Sequence, residues 1–209
     1  MIKNNSLYLV LSQEYSERNV LEIAEKAILG GVNIVQMREK DSSREEMINL
    51  GGALSLICIR SEVTFIINDD PSLVREVNAD GVHLGQEDLE KWPVDETRKM
   101  LEKDKVIGVS AHSPEQFKQA NNMDIDYIAY GPIFDTETKD YSIGTEDISR
   151  VLETAVKPVI FIGGIDLHNI DEILDKGGRN IAVIRAIMQA DDVEKIARKL
   201  KDRIVYGDK

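Results

Sequence analysis

The chain has 209 residues, of which 42% are hydrophobic and 31% charged, and its formal net charge is -12. This length fits one domain with a full hydrophobic core over residues 1–209, and the composition is that of a folded protein rather than a disordered one. The negative charge argues against a nucleic-acid partner, although a few basic residues inside a pocket would still bind a small phosphate.

The single cysteine, Cys58, excludes an internal disulfide and gives no sign of an oxidising compartment. The N-terminal apolar run is too short for a signal-peptide core or a membrane span. We therefore expect a cytoplasmic protein with no membrane partner. The oligomeric state is left open by the sequence, a homodimer included.

Short runs rich in β-branched and aromatic residues alternate with amphipathic segments along the chain, a pattern typical of a parallel sheet covered by helices. In chain order we predict strands at Leu7 (LYLVL), Asn33 (NIVQM), Thr64 (TFIIN), Gly81 (GVHL), Val106 (VIGVS), Tyr127 (YIAYG), Pro158 (PVIFI) and Ile181 (IAVI). Eight such units in a chain of this length favour a single (β/α)₈ TIM barrel.

Four residues have the spacing of helix caps. Ser42 with Glu45, and Ser113 with Gln116, fit the capping box. Two prolines, Pro71 and Pro114, fit the first residue of a helix, where a missing N–H is tolerated.

In TIM barrels the functional groups gather at the C-terminal ends of the strands and in the loops that follow. The uncommon polar residues and glycines of this chain occur there: Gln36, Arg38, Lys40, Asn68, Asp69, Asp88, Ser110, His112, Thr136, Thr138, Lys139, Gly163, Gly164 and Arg185. We therefore predict a phosphate-binding site at this end of the barrel.

The segment after the second strand has three alternating polar residues. Gln36, Arg38 and Lys40 leave one face of the strand end, while Met37 and Glu39 face the other way. The planar fork of Arg and the compact charge of Lys suit a diphosphate. An ordinary solvated strand end is the alternative interpretation.

Two carboxylates at the ends of adjacent strands, Asp69 and Asp88, are hard oxygen ligands that suit Mg²⁺ bridging to substrate phosphates. The competing interpretation is that one or both cap the following helices. Asp70 directly precedes Pro71 and is the better cap, which leaves Asp69 free for a metal.

The Gly163–Gly164 pair follows the seventh strand, and we expect it to open a helix whose N–H groups face an anion. Glycine is also required in turns for steric reasons alone, so the pair is weak evidence by itself. The spacing of the three histidines fits no metal site. Only His112, next to Ser110 near the end of the fifth strand, is of interest, and a structural or hydrogen-bonding role is favoured for it over an acid-base role. No chemistry is assigned to the tyrosines.

Seven segments follow one another in an order and spacing that resembles the thiamine-phosphate synthase family: QMREK, IIND, DGVHLGQEDL, IGVSAHS, YGPIFDTETK, FIGGI and IAVIRAI. The resemblance runs from the first strand to about residue 190. It implies a TIM-barrel transferase that joins 4-amino-2-methyl-5-pyrimidinylmethyl diphosphate to a thiazole phosphate, with Mg²⁺ as cofactor and pyrophosphate as the leaving product.

The resemblance also implies roles for individual residues. It places substrate contacts in the segment Gln36, Met37, Arg38, Glu39 and Lys40, and at Asn68, Ser110, Thr136, Thr138, Lys139, Gly164, Ile184 and Arg185. The thiazole phosphate is assigned to Thr136, Thr138, Gly164, Ile184 and Arg185. Arg38, Lys40, Ser110 and Lys139 are implied to be catalytic. The implied Mg²⁺ ligands are Asp69 and Asp88.

Two residues depart from the family pattern. Asp70 stands where the family commonly has Arg, and Arg185 stands where it commonly has Ser. Arg185 would either bind the thiazole phosphate or partly obstruct its site.

Two other functions remain open. One is a thiazole tautomerase on the same barrel, which would not need the residues that bind the diphosphate. The other is a non-catalytic barrel that senses phosphate.

Overall fold

The barrel is closed by eight parallel strands in chain order, with β8 returning to pair with β1. The computed structural model describes residue 2, residues 4–136 and residues 140–207. The strands are β1 (Leu7–Leu11), β2 (Ile34–Met37), β3 (Thr64–Asn68), β4 (Gly81–Leu84), β5 (Val106–Ala111), β6 (Tyr127–Tyr130), β7 (Val159–Ile162) and β8 (Ile181–Val183). The predicted TIM barrel is confirmed, and the strand ends agree with the predictions to within one residue.

Helices cover the outside of the barrel. They are α1 (Val20–Leu29), α2 (Arg44–Arg60), α3 (Ser72–Glu76), α4 (Val94–Met100), α5 (Pro114–Asn121), α6 (Ile148–Thr154), α7 (Ile170–Leu174), α8 (Arg185–Met188) and α9 (Val193–Tyr206). Short 3-10 helices follow β1 at Gln13–Tyr15 and β4 at Glu87–Leu89. Over the described residues, no helix combines the length and the apolar character needed to cross a membrane.

Alternation along each strand divides the buried side chains into two layers. On β6, Tyr127 points into the barrel, where the interior layer also contains Ile66 and Ile160. Tyr130, three residues later, belongs to the outer layer and packs edge-on against the ring of Phe117. Position along a strand therefore decides whether a tyrosine meets the barrel interior or the helices.

Helix α2 begins one residue later than its predicted cap. Ser43 accepts from the Glu46 N–H, and the Glu46 carboxylate accepts from the Ser43 N–H (2.8 Å), so this pair forms the capping box. The prediction of Ser42 with Glu45 was wrong because two serines stand in succession, each three residues before a glutamate. The other predicted cap is confirmed on the serine side, where Ser113 accepts from the Gln116 N–H.

The two prolines differ in their positions. Pro114 is the first residue of α5, as predicted. Pro71 instead occupies the N-cap position of α3, which begins at Ser72. The side-chain contact at this helix start comes from Asp70, whose carboxylate accepts from the Ser72 N–H (2.9 Å). Asp70 thus has the capping role that its position before proline predicts.

Asn or Asp side chains close the N-terminal end of the barrel, opposite the predicted site. One such residue directly precedes each even-numbered strand, and its side-chain oxygen accepts a backbone N–H at the start of a neighbouring strand. We call them the four basal side chains, with these acceptor-to-donor distances: Asn33 to Leu7 (2.9 Å), Asp80 to Phe65 (2.7 Å), Asp126 to Ile107 (2.8 Å) and Asn180 to Ser6 (3.1 Å). They satisfy N–H groups that the parallel ladder leaves unpaired.

Candidate active site

One cavity of about 560 Å³ lies at the C-terminal ends of the strands. Because parallel strands bring their C-terminal ends to the same rim, polar residues distant in sequence meet there. The cavity is lined by these predicted residues: Gln36, Arg38, Lys40, Asn68, Asp69, Asp88, Ser110, His112, Thr136, Gly163, Gly164, Ile184 and Arg185. Thr138 and Lys139 lie outside the described residues.

The substrate contacts predicted for Met37 and Glu39 need correction as far as their side chains are concerned. Met37 is buried in the outer layer between the sheet and the helices. Glu39 turns toward the 3-10 helix after β1, where its carboxylate accepts from the Gln13 N–H (2.8 Å). Strand alternation explains both positions, since odd and even residues after Ile34 leave opposite faces.

Two carboxyl groups, those of Asp69 and Asp88, meet at the ends of β3 and β4. Burial and the neighbouring Asp88 carboxyl raise the pKa of Asp69 well above its usual range, while Lys40 and Arg38 oppose that rise. Asp69 has a left-handed backbone (φ 65°), a conformation that Asp tolerates better than most residues. The Asp88 carboxylate also accepts from the Gly85 N–H (2.9 Å). Two close, half-buried carboxyls form a site that a cation would stabilise.

This acidic pair passes the chemical test for a divalent metal. Mg²⁺ prefers oxygen ligands and is commonly held by one or two carboxylates plus water and substrate phosphates. Within the described part of the chain, no three His, Cys, Asp or Glu side chains are grouped as a metal cage. A two-carboxylate site that is completed by substrate fits this donor set.

Cations face the acidic pair from the neighbouring loops. The Arg38 guanidinium lies 3.4 Å from the Tyr15 hydroxyl and 3.5 Å from the Glu14 carboxylate. Arg185, at the end of β8, lies over the face of the same Tyr15 ring. Tyr15 is 8% exposed and was not predicted as a site residue, because the 3-10 helix after β1 has no recognisable motif.

The glycine pair after β7 has a steric role. Gly164 has a φ of 65°, and a Cβ built on it would lie 2.4 Å from the Asp135 carbonyl oxygen. The prediction that this pair opens a helix was wrong, since α7 begins only at Ile170. A polar loop intervenes, in which the Asn169 amide donates to the Gly164 carbonyl (2.8 Å). The strand that runs directly into a helix is β8, which is followed by α8 at Arg185.

A continuous run of hydrogen bonds crosses the barrel interior at the floor of the cavity, and all of its members except Tyr127 line the cavity. We call it the buried polar chain, and its links are Gln36 Nε2 to Tyr8 Oη (2.6 Å), Tyr8 Oη to Tyr127 Oη (3.0 Å), Tyr127 Oη to His83 Nδ1 (3.0 Å) and His83 Nε2 to Ser110 Oγ (2.9 Å). Its two ends are predicted site residues. Its three interior members, Tyr8, Tyr127 and His83, were not predicted as site residues, although polar-tipped side chains at inward-facing strand positions are a usable signal.

His112 has the hydrogen-bonding role favoured for it. Its Nδ1 donates to the Gly131 carbonyl, which can only accept, so the ring proton of the neutral form is on Nδ1. The ring also lines the cavity and meets Tyr141 edge-on at 6.3 Å. Its Nε2 remains available as an acceptor.

Comparison with known proteins adds a family to this geometry. A family model described as Thiamine monophosphate synthase matches residues 7–187. The thiamine-phosphate synthase of Halalkalibacterium halodurans is 38% identical over 192 residues, covering 90% of both chains. That of Thermus thermophilus is 39% identical over 206 residues, covering 96% of this chain and 97% of the relative. A solved structure, thiamine phosphate pyrophosphorylase from Pyrococcus furiosus, superposes with a TM-score of 0.87 at 31% identity, covering 97% of this chain and 96% of that one.

Proposed function

This chain belongs to the thiamine monophosphate synthase family, and on that premise we propose that it condenses 4-amino-2-methyl-5-pyrimidinylmethyl diphosphate with a thiazole phosphate. The products are thiamine phosphate and pyrophosphate. The resemblance inferred from the sequence is confirmed, and the family is one of transferases.

The observation that supports this reaction most directly is the arrangement of opposite charges around one cavity. The acidic pair Asp69 and Asp88 faces the cations Arg38 and Lys40 across neighbouring strand ends. A diphosphate with its metal carries both signs of charge and would bind both groups. A thiazole tautomerase would not need the acidic pair, so this arrangement favours the synthase.

We propose that Asp69 and Asp88 hold Mg²⁺. When bound, the metal neutralises charge on the diphosphate and so makes it a better leaving group. The raised pKa of Asp69 supports this assignment, because burial beside another carboxyl leaves the pair short of positive charge. Asn68, which precedes Asp69 and lines the cavity, supplies an amide for the diphosphate or the pyrimidine.

The remaining charged groups would bind and orient the two substrates. Arg38 and Lys40, with Lys139, bind the diphosphate and stabilise the negative charge that develops as it leaves. Gly164, Thr136, Ile184 and Arg185, which line the same cavity, would bind the thiazole phosphate. Ser110 lies beside the pyrimidine.

The proposed reaction is a substitution at the methylene carbon of the pyrimidine. The C–O bond to the diphosphate breaks, its electron pair leaves with the oxygen, and the aminopyrimidine stabilises the resulting cation. The thiazole nitrogen then donates its lone pair to form the new C–N bond. Binding both substrates in one cavity orients them for reaction. In general, such orientation lowers the activation free energy by several kcal/mol relative to a collision in solution.

We also propose that residues 1–209 act as one domain in the cytoplasm on small-molecule substrates. The net charge of -12 supports the expectation of no nucleic-acid partner. The single cysteine, Cys58, is buried, which fits a compartment where thiols stay reduced.

The test is an assay of purified protein with both substrates, in which thiamine phosphate and pyrophosphate are measured together, with and without Mg²⁺. Equal amounts of the two products that depend on Mg²⁺ support the synthase. Turnover of a thiazole carboxylate phosphate without the diphosphate substrate would support the tautomerase instead. Phosphate binding without either reaction would support the regulatory barrel.

A further inference from the structure

The buried polar chain joins five strands that are not all neighbours in the sheet. Its members lie on β2, β1, β6, β4 and β5 in that order, so the chain passes through the barrel interior rather than around the wall. Tyr8 is 2% exposed, Tyr127 0% and His83 7%. Because so little of each side chain is exposed, these groups satisfy one another, and an unpaired buried polar group would be costly.

Each interior member is neutral. Burial raises the pKa values of Tyr8 and Tyr127 above the ordinary value for tyrosine, and it lowers the pKa of His83 to about 4. A neutral hydroxyl has one hydrogen to donate, and a neutral imidazole has one donor nitrogen and one acceptor nitrogen. Every interior member therefore donates once along the chain and accepts once.

This restriction gives the chain a direction. With the Gln36 amide nitrogen donating to Tyr8, the hydroxyl hydrogen of Tyr8 points to Tyr127, and that of Tyr127 points to His83 Nδ1. The proton on His83 Nε2 then points to Ser110. At the ends, the Gln36 carbonyl oxygen remains as an acceptor and the Ser110 hydroxyl hydrogen remains as a donor. Reversing one link reverses all of them, so the two ends change roles together.

We infer that the buried polar chain holds its two ends in opposite hydrogen-bonding roles, one acceptor and one donor, toward the aminopyrimidine. Both ends line the cavity. An aminopyrimidine edge presents the complementary pair, an amino N–H and a ring nitrogen. Tyr8 and His83 also line the cavity, whereas Tyr127 does not, so Tyr127 is a positioning residue that acts on the reacting ring only through the other members. This inference rests on the proposed function, which supplies the aminopyrimidine.

The decisive variant is Tyr127→Phe, which removes one oxygen atom at the centre of the chain. We expect kcat to fall roughly tenfold, the equivalent of about one hydrogen bond. The KM values should stay within about twofold, because the phosphate-binding cations are unchanged. The matched control is Tyr130→Phe, which removes a hydroxyl from the same strand on its outer face and should leave kcat unchanged.

A second pair of variants tests whether the members act as one unit. Tyr8→Phe should lower kcat to a similar extent, and the double variant Tyr8→Phe/Tyr127→Phe should be no slower than the slower single one, because either change already interrupts the chain. Wild-type kcat in Tyr127→Phe, or losses that multiply in the double variant, would overturn the inference while leaving the proposed function intact.

Ring ¹⁵N spectra of the histidines give a measurement that does not depend on turnover. At neutral pH, His83 of the wild type should be a single tautomer with the proton on Nε2, and Tyr127→Phe should show a mixture. Adding the pyrimidine diphosphate without the thiazole phosphate should shift the His83 signals of the wild type. A tautomer mixture in the wild type, or no shift on addition, would overturn the inference. Absence of thiamine phosphate from the wild-type assay would instead refute the proposed function.

Discussion

The guanidinium carbon of Arg185 lies 5.4 Å from the centre of the Tyr15 ring. The hydroxyl of the same tyrosine is 3.4 Å from the Arg38 guanidinium, so one aromatic side chain contacts a cation from β8 and another from the end of β2. A ring face attracts a cation, and the hydroxyl oxygen accepts from the other. Tyr15 therefore lies between the two arginines, and all three side chains line the cavity.

Arg185→Ser introduces the residue that the sequence resemblance implies for this position, and it should weaken binding of the thiazole phosphate. A hydrogen bond to a charged group contributes on the order of 1 to 3 kcal/mol, so we expect a loss of roughly 5- to 150-fold in affinity. Calorimetric titration of each substrate checks this, and the pyrimidine diphosphate should bind as before. Arg150→Ser, which removes the same charge from the exposed side of α6, is the control. Thiazole phosphate binding that is unchanged or tighter would show that Arg185 is no clamp.

Asp69→Asn should lower Mg²⁺-dependent turnover by roughly 100-fold or more, the range for loss of charge stabilisation in a transition state. Asparagine keeps the shape and tolerates the positive φ, so the fold should be retained. The same variant should lose the rise in melting temperature that Mg²⁺ produces in the wild type by binding the folded state.

Asp70→Asn is the matched control for this metal site. Its carboxylate contacts Ser72 and Arg44 rather than the cavity, so turnover and the Mg²⁺-dependent melting shift should both persist. If Asp69→Asn and Asp88→Asn both kept near-normal turnover, the acidic pair would not be the metal site.

The buried imidazole of His83 should make stability depend on pH. Its folded pKa of about 4 lies below the ordinary value of 6.5, so the unfolded chain binds more protons as the pH falls. The stability is therefore present above pH 6.5 and is lost between pH 6.5 and 4. From pH 7 to pH 5 this group should cost roughly 2 kcal/mol of unfolding free energy. Urea unfolding of wild type and His83→Gln at both pH values measures it.

The variant should show a smaller decrease than the wild type, because glutamine does not titrate. His168→Gln, at an exposed histidine, should follow the wild type. Equal decreases in wild type and His83→Gln would mean that the imidazole is already accessible to protons in the folded state.

The basal side chain Asn180 should contribute to stability and not to catalysis. Its oxygen accepts from the Ser6 N–H and its nitrogen donates to the Val159 carbonyl, both 3.1 Å and both buried. Asn180→Ala leaves those groups unpaired, with an expected loss of roughly 2 to 3 kcal/mol in unfolding free energy and an unchanged kcat. Asn121→Ala removes the same two kinds of hydrogen bond at the surface, between Thr154 and Val156, and should cost about 1 kcal/mol or less. Equal losses in the two variants would contradict the buried role.

The barrel and the location of the site could be predicted because both follow from local pattern. Eight apolar runs with helical segments between them favour one closed topology, and that topology places Asp69 and Asp88 at one rim. The cap at Ser43 was missed by one residue because both serines satisfy the same spacing. Local pattern also fails after Gly164, where a polar loop delays the helix to Ile170.

The buried polar chain could not be predicted, and the reason is geometric. Tyr8 and Tyr127 are 119 positions apart and lie on strands that are not neighbours in the sheet, so no spacing in the sequence connects them. An inward-facing tyrosine also has the same local pattern as an outward-facing one such as Tyr130. Only the closed barrel shows which partner lies across the interior.

The four basal side chains also group the strands into modules. Asn33 joins β1 to β2, Asp80 joins β3 to β4, Asp126 joins β5 to β6, and Asn180 joins β8 to both of its neighbours. The exposed loop at residues 102–104 lies between two such modules. New chain ends opened there would keep every basal hydrogen bond. Near the limits of the described residues, the Lys201 ammonium of α9 donates to the Asn5 carbonyl just before β1 (2.6 Å). We therefore expect a circular permutant opened at residues 102–104 to keep the barrel, because the cut lies on the face farthest from the cavity.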